Sequence, residues 1–182
     1  MTALERINNL IGMENFKKQI NLMDKQIEYI KEKMAQKGMS NFTGFKVFIG
    51  NSHNGKKTAA KLFAEFLQEK GIIKNGYIII ATSNDFIGEF IGQSQAKTKD
   101  LLLKALDGVL YIDEASLLLQ NERTSFIERE IMDTILSFMY DNYERICVIL
   151  SDSSANIKKL LENTIGLNTK ITHYFDFKEH NG

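Results

Sequence analysis

Between the apolar run Phe45–Ile49 and the amphipathic stretch Lys57–Lys70 lies the loop Gly50-Asn51-Ser52-His53-Asn54-Gly55-Lys56. This G-x-x-x-x-G-K pattern constrains the fold strongly, because it needs a strand end before it and a helix start after it. Backbone N–H groups of such a loop wrap phosphates, and the helix that follows adds its dipole. Lys56 would neutralise the outer phosphates. A Gly/Asn-rich turn joining strand to helix is the other reading of the same residues. The pattern also departs from a complete phosphate loop. The residue after the lysine should be Ser or Thr, whose hydroxyl holds Mg²⁺, yet the chain has Lys57 there and Thr58 one place later.

A second constellation, Val109-Leu110-Tyr111-Ile112-Asp113-Glu114, is an apolar strand ending in two acids. It has the form of a Walker B segment, in which the Asp positions Mg²⁺ and the Glu polarises the attacking water. Two acids capping a strand end would look the same in isolation. A third is Phe90-Ile91-Gly92, an aromatic–aliphatic–glycine triplet in a loop after the second strand. It suits an exposed pore loop that grips an extended polypeptide. Equally, Phe86, Ile87, Phe90 and Ile91 would serve to anchor that loop to the core.

Around these motifs the chain alternates apolar strand-length runs with helical periodicity. Glu14–Lys37 carries Phe16, Ile20, Met23, Ile27, Ile30 and Met34 near a 3.6-residue period and stops at Gly38, an amphipathic helix with a glycine end. Lys57–Lys70, Ala96–Leu106, Ser125–Tyr140 and Ala155–Glu162 read as further helices. Leu102, Leu103 and Leu106 would lie on the apolar side of one; Phe126 or Ile127, Ile131, Ile135 and Phe138 or Met139 would face inward on another. Phe45–Ile49, Tyr77–Ala81, Val109–Ile112, Ile146–Leu150 and Ile171–Phe177 read as strands. Continuous apolar strands separated by helices predict a mainly parallel five-stranded sheet covered on both faces, an α/β/α three-layer sandwich of the P-loop NTPase kind. Ligands of such sheets sit at the carboxyl ends of the strands.

The composition narrows the function. Lys+Arg and Asp+Glu both number 23, so no net positive field directs the chain to nucleic acid or to an anionic membrane. The polar start, Met1–Asn9, has no signal-peptide character, and no apolar run approaches a membrane span. The single cysteine, Cys147, lies in an apolar run and reads as a small buried hydrophobe, in keeping with a reducing cytoplasmic setting.

Together these residues resemble the CbxX/CfqX-type AAA+ ATPases, the group that includes stage V sporulation protein K and red-type Rubisco activase. The stretches that carry the resemblance are Asn9–Ile20, Phe48–Ala60, Asp85–Thr98, Gly108–Ala115 and Gly166–Phe177. They follow the family's order along nearly the whole chain, and the Asp85–Thr98 block is distinctive of this group. The resemblance implies an AAA+ module with an N-terminal linker and amphipathic helix over 1–44 and a large nucleotide-binding subdomain over 45–182. A lid subdomain is expected to be absent, because the chain stops after its last strand. Ile11 and Gly12 would line the adenine pocket and Gly50–Lys56 would hold the phosphates of ATP or ADP. Asp113 would serve Mg²⁺ and Glu114 the water, Ser151 or Asp152 would lie near sensor 1, and Phe90-Ile91-Gly92 would be the pore loop. Members of the family assemble as hexamers and pull segments of protein clients through a central pore.

The departures from the family pattern bear on activity. Similar proteins have Pro-Gly-Thr where this chain has Ser52-His53-Asn54, and Thr in place of Lys57. An arginine-containing Gly-Leu-Arg-Ser-Arg-Phe run is replaced by Gly166-Leu167-Asn168-Thr169-Lys170-Ile171. An arginine supplied to a neighbour contributes about 10³–10⁵ in rate, and Lys170 keeps the charge without the planar fork. Two expectations follow. One is an ATP-binding motor domain with impaired hydrolysis. The other is a non-hydrolysing interaction or regulatory subunit that partners an active ATPase in a homo- or hetero-hexamer. Lys57 makes Mg²⁺ itself doubtful: its ammonium either occupies the cation's place or points to solvent from the first helical turn.

Overall fold

The computed structural model describes residues 1–33, 39–51, 54–90, 92–118 and 125–178. The five apolar runs become β1 Gly44–Ile49, β2 Ile78–Ala81, β3 Val109–Ile112, β4 Cys147–Asp152 and β5 Ile171–Asp176. They form one sheet in the order β2-β3-β4-β1-β5, each pairing parallel. Parallel neighbours need crossover connections, and helices supply them: α3 Lys56–Glu69, α4 Gln93–Ala105, α5 Ser125–Asn142 and α6 Ser154–Asn163. Two helices precede β1, α1 Ala3–Asn8 and α2 Glu14–Glu32. The α/β three-layer reading therefore stands. Met34 and Gly38, assigned to the end of the second helix, lie outside the described residues.

Alternate residues of each strand feed two cores. Phe48, Tyr111, Cys147, Ile149 and Phe175 pack on one face with Phe16, Ile20 and Ile27 of α2 and with Phe63 of α3. Val47, Leu110, Ile112, Val148 and Leu150 pack on the other with Leu102 of α4, Ile131 and Ile135 of α5, and Ile157 of α6. On the first face the Phe48 ring meets Phe16, Phe175 and Phe177 with centroids 5.9, 5.3 and 4.9 Å away, separations typical of favourable aromatic pairs. Cys147 is a buried free thiol, as its apolar run suggested.

Two expectations about helix faces need correction, and one helix was missed. Leu103 is half exposed, whereas Leu102 is buried and Leu106 only packs against the core edge. One residue along α4 turns the side chain by about 100°, so 102 and 103 cannot both face the sheet. Neither Phe126 nor Ile127 faces inward; both are exposed, and the buried stripe of α5 begins at Ile131. The helix α1 was not legible in the mixed-charge start of the chain. Thr2 caps it by accepting from the Glu5 amide, and Glu69 of α3 accepts the Ala3 amide with both carboxylate oxygens. An anion there complements the helix N-terminus, while Ala3 and Ile7 are fully buried.

The free edge of β5 is also managed by α2. Gln19 donates to the Tyr174 carbonyl and Asn15 accepts the Asp176 amide. Two polar side chains thus satisfy backbone groups that an edge strand leaves open.

Candidate functional site

Because the strands are parallel and in close register, Ile49, Ile112 and Asp152 all end at one edge of the sheet. Ile49 lies opposite Asp152, and Ile112 opposite Leu150. The loop after β1, the acidic pair after β3 and the turn after β4 therefore meet. They enclose a cleft of about 260 Å³ lined by Gly50, Asn51, Lys56, Asp113, Glu114 and Asp152, with Ser153 and Asn156 of the β4–α6 turn. The loop lysine and the acidic pair, some sixty residues apart in sequence, are thus brought together.

Lys56 is the first residue of α3 and is buried, its ammonium donating to the Gly50 carbonyl at 2.5 Å. Burial pulls its pKa below the ordinary lysine value, and Lys57 adds to this, while Asp113 and Asp152 oppose it. Gly55 enters the helix at φ +82°, and a Cβ there would meet the Met13 methyl at 2.4 Å. The left-handed backbone favours glycine here, while the methyl at the end of the flexible Met13 side chain can shift. Asn54 turns away from the cleft and donates to the Phe177 carbonyl. Ser52 and His53 lie outside the described residues.

Asp113 follows β3 directly, with its amide on the Ala81 carbonyl, and Glu114 comes next, exposed, at φ +50°. A non-glycine residue in the left-handed region is uncommon and clusters at functional sites. Here it turns the chain sharply off the strand end. Asp152 is held by Ser116, which donates through both amide and hydroxyl, by the Ser153 amide and by Asn156. Burial would raise its carboxyl pKa, but these hydrogen bonds outweigh it and hold the group below the usual carboxylate value. Ser151, in contrast, is fully buried and accepts from Tyr111, so of the two residues near sensor 1 it is Asp152 that faces the cleft.

Lys57 is half exposed, yet its ammonium does not point away: Nζ lies 3.2 Å from Asp113 Oδ2. Thr58 is exposed on the next position of α3 and does not line the cleft. A magnesium ion demands near-octahedral oxygen ligation. Asp113 is already paired with an ammonium, and position 57 offers no hydroxyl. This donor set does not fit Mg²⁺.

The remaining sequence candidates sit around this centre. Ile11 and Gly12 are exposed in the α1–α2 turn and do not line the cleft, although Met13 beside them touches Gly55. In the loop before α4, Phe86 is fully buried and Phe90 is 72% exposed. Gln93 Oε1 accepts the amides of Glu89 and Phe90, and Gly92 opens α4 at φ +83°. Anchoring thus falls to Phe86 and the partly buried Ile87, while Phe90 is presented to solvent; Ile91 lies outside the described residues. Sequence reading missed Ser153 and Asn156. A signal was present, since Ser153 N-caps α6 by accepting the Asn156 amide, and Ser before a helical run is a start signal. A larger apolar cavity of about 560 Å³ lies between α2 and β5, near Tyr29, Phe42 and His173, but it has neither paired acids nor a phosphate loop.

Comparison with known proteins agrees with this fold. Residues 47–174 match the family described as ATPase family associated with various cellular activities (AAA). The chain is 33% identical over 133 residues to the plasmid protein CbxX of Cupriavidus necator, covering 73% of this chain and 42% of that protein. It is 30% identical over 178 residues to stage V sporulation protein K of Bacillus subtilis, covering 97% of this chain and 55% of that one. The chain thus spans about half the length of these relatives. Among solved structures, a chain of the HORMA:CdnC:Trip13 complex of E. coli MS115-1 superposes with a TM-score of 0.65 at 14% identity, over 98% of this chain and 67% of that one. The FIGL-1 AAA domain in complex with ADP does so at 0.52 and 15% identity, over 75% and 46%. No helix among the described residues is long and apolar enough to cross a membrane. The chain belongs to the AAA family of ATPases.

Proposed function

We propose that this chain is the ATP-binding large subdomain of a CbxX/CfqX-like protein-remodelling ATPase whose own hydrolysis is impaired. The observation that carries the reading is the convergence of Lys56, Asp113, Glu114 and Asp152 on one cleft at the carboxyl edge of a parallel sheet. That is where ligands of open α/β sheets bind. The loop Gly50–Lys56 acts as Walker A, its amides and Lys56 taking the phosphates of ATP or ADP. Asp113 and Glu114 act as Walker B. Ile11 and Gly12 close over the adenine from the turn that abuts Gly55. The solved FIGL-1 domain, of similar fold, holds ADP, which supports the choice of ligand.

Phosphoryl transfer depends on positioned charge around the transferring group. Glu114 is free to orient a water. The cation beside it is a lysine, and the segment Gly166–Ile171 carries Asn168 and Lys170 where similar proteins carry arginines. Both changes leave binding possible and weaken the transition state. Phe90, Ile91 and Gly92 form the grip on a protein client, and the chain works as one member of a homo- or hetero-hexamer in the cytoplasm. The Lys57–Asp113 pair favours a second reading within this frame, a non-hydrolysing regulatory subunit that depends on an active partner.

ATP turnover by the purified chain, measured beside Lys56→Ala and Glu114→Gln, tests the proposal. Expected is no turnover above that of the two variants. Robust turnover abolished by both substitutions would overturn the impaired-hydrolysis reading.

A further inference from the structure

The misfit between this cleft and a magnesium ion has a positive counterpart. Lys57 sits on the first turn of α3, and its ammonium lies 3.2 Å from Asp113 Oδ2. In a magnesium-using phosphate loop the ion is held between that carboxylate, the neighbouring hydroxyl and the phosphates. Here a covalently tethered cation has taken the carboxylate. We propose that Lys57 is the resident cation of the nucleotide site, so that nucleoside di- and triphosphates bind through Lys56 and Lys57 without a divalent metal.

The inference rests on the nucleotide-binding reading above and names its counter-ion. Charge and geometry support it together. An ammonium has three N–H donors, so pairing with one carboxylate leaves donors for phosphate oxygens. The Lys57 side chain is about half exposed and the Asp113 side chain a quarter exposed, so the pair is open to solvent beside the cleft, which Asp113 lines and Lys57 does not. Lys57 is also close enough to Lys56 to disfavour its charged form; two ammoniums held near one another are relieved when a polyanion enters between them. A metal ion placed on Asp113 would instead meet the Lys57 charge at close range and have to displace it.

The substitution also changes what the site can do. An ammonium neutralises phosphate charge and orients oxygens, but it offers no coordination sphere to hold a nucleophile and leaving group in line. Binding and turnover are thereby separated at one position: tight, metal-independent binding with weak hydrolysis.

Calorimetric titration of ATP and ADP into the full chain, in excess EDTA and in excess MgCl₂, tests this. Lys57→Thr, which restores the metal-binding hydroxyl, and Lys57→Met, which keeps length and removes charge, are titrated beside it. Expected for the unsubstituted chain is the same affinity in both buffers within about threefold, less than one charge-assisted hydrogen bond. Lys57→Thr should bind about tenfold more weakly in EDTA than in MgCl₂, and Lys57→Met should be weakened by about tenfold in EDTA relative to the unsubstituted chain. A drop of tenfold or more on chelation in the unsubstituted chain overturns the inference and leaves the nucleotide site standing. So does unaltered EDTA affinity in both variants. No binding by the unsubstituted chain in either buffer overturns the nucleotide site itself.

Discussion

The Tyr111 hydroxyl donates to Ser151 Oγ at 2.7 Å, tying β3 to β4 next to the cleft. Burial pushes the Tyr111 pKa up to about 12, against the lowering effect of Ser151, so the phenol remains a donor throughout the working range. Successive strand residues point to opposite faces; with Ser151 committed to Tyr111, Asp152 is left to the cleft and its ring of Ser116, Ser153 and Asn156.

Ser151→Ala should therefore act on stability and not on the ligand. It leaves a buried phenol without its partner, a cost of about 1–3 kcal/mol, while ATP affinity stays unchanged. Urea denaturation and a nucleotide titration on the same sample read the two effects. A tenfold loss of affinity with stability intact would contradict the division of roles between residues 151 and 152.

The loop before α4 makes a similar division. Phe86 is buried and Phe90 exposed, so Phe86→Ala should cost about 3–5 kcal/mol and Phe90→Ala no more than about 0.5 kcal/mol. Comparable losses in thermal denaturation would mean that Phe90 anchors the loop and is not available to a client.

Gly44 opens β1 at φ +77°, and a Cβ there would fall 2.0 Å from the Tyr143 ring. Gly44→Ala should destabilise the fold by about 2–4 kcal/mol, since both the left-handed backbone and the overlap oppose it. A denaturation midpoint equal to that of the unsubstituted chain would show that the ring moves aside without cost.

Lys46 provides a test by pH. Its ammonium is fully buried in β1 and donates to the carbonyls of Asn41 and Thr43 and to the Thr172 hydroxyl. Burial lowers its pKa from 10.5 to about 8. The folded value lies below the unfolded one, so between about pH 8 and 10.5 the unfolded chain binds more protons and stability from this group rises with pH. The stability of the unsubstituted chain minus that of Lys46→Met should grow across this window by up to about 3 kcal/mol. Burial raises the Cys147 pKa to about 11 against the lowering effect of Lys46; this works in the opposite direction in both proteins and no less strongly once Lys46 is removed, so the difference between them still grows with pH. A difference that stays flat with pH would contradict the burial of a charged Lys46.

Much of this was legible in the sequence because strands buried on both faces read as uninterrupted apolar runs. All five strands, α3 and the meeting of Lys56 with Asp113 and Glu114 follow from that pattern and from motif spacing. What was illegible depends on contacts between distant residues. α1 buries only Ala3 and Ile7, too few to show a period, and its N-terminus is completed by Glu69. Lys46 looks like a polar interruption of β1 until Thr172 closes over it. The direction of Lys57, toward Asp113 and not toward solvent, is set by a carboxylate more than fifty residues away.

The most direct measurement on the site is ATP binding by the unsubstituted chain compared with Lys56→Ala, by calorimetry at matched folding. Expected is saturable one-site binding that weakens by about tenfold or more when the buried ammonium is removed. Equal affinity in the two proteins, or no binding by the unsubstituted chain, would contradict the assignment of this cleft to a nucleotide.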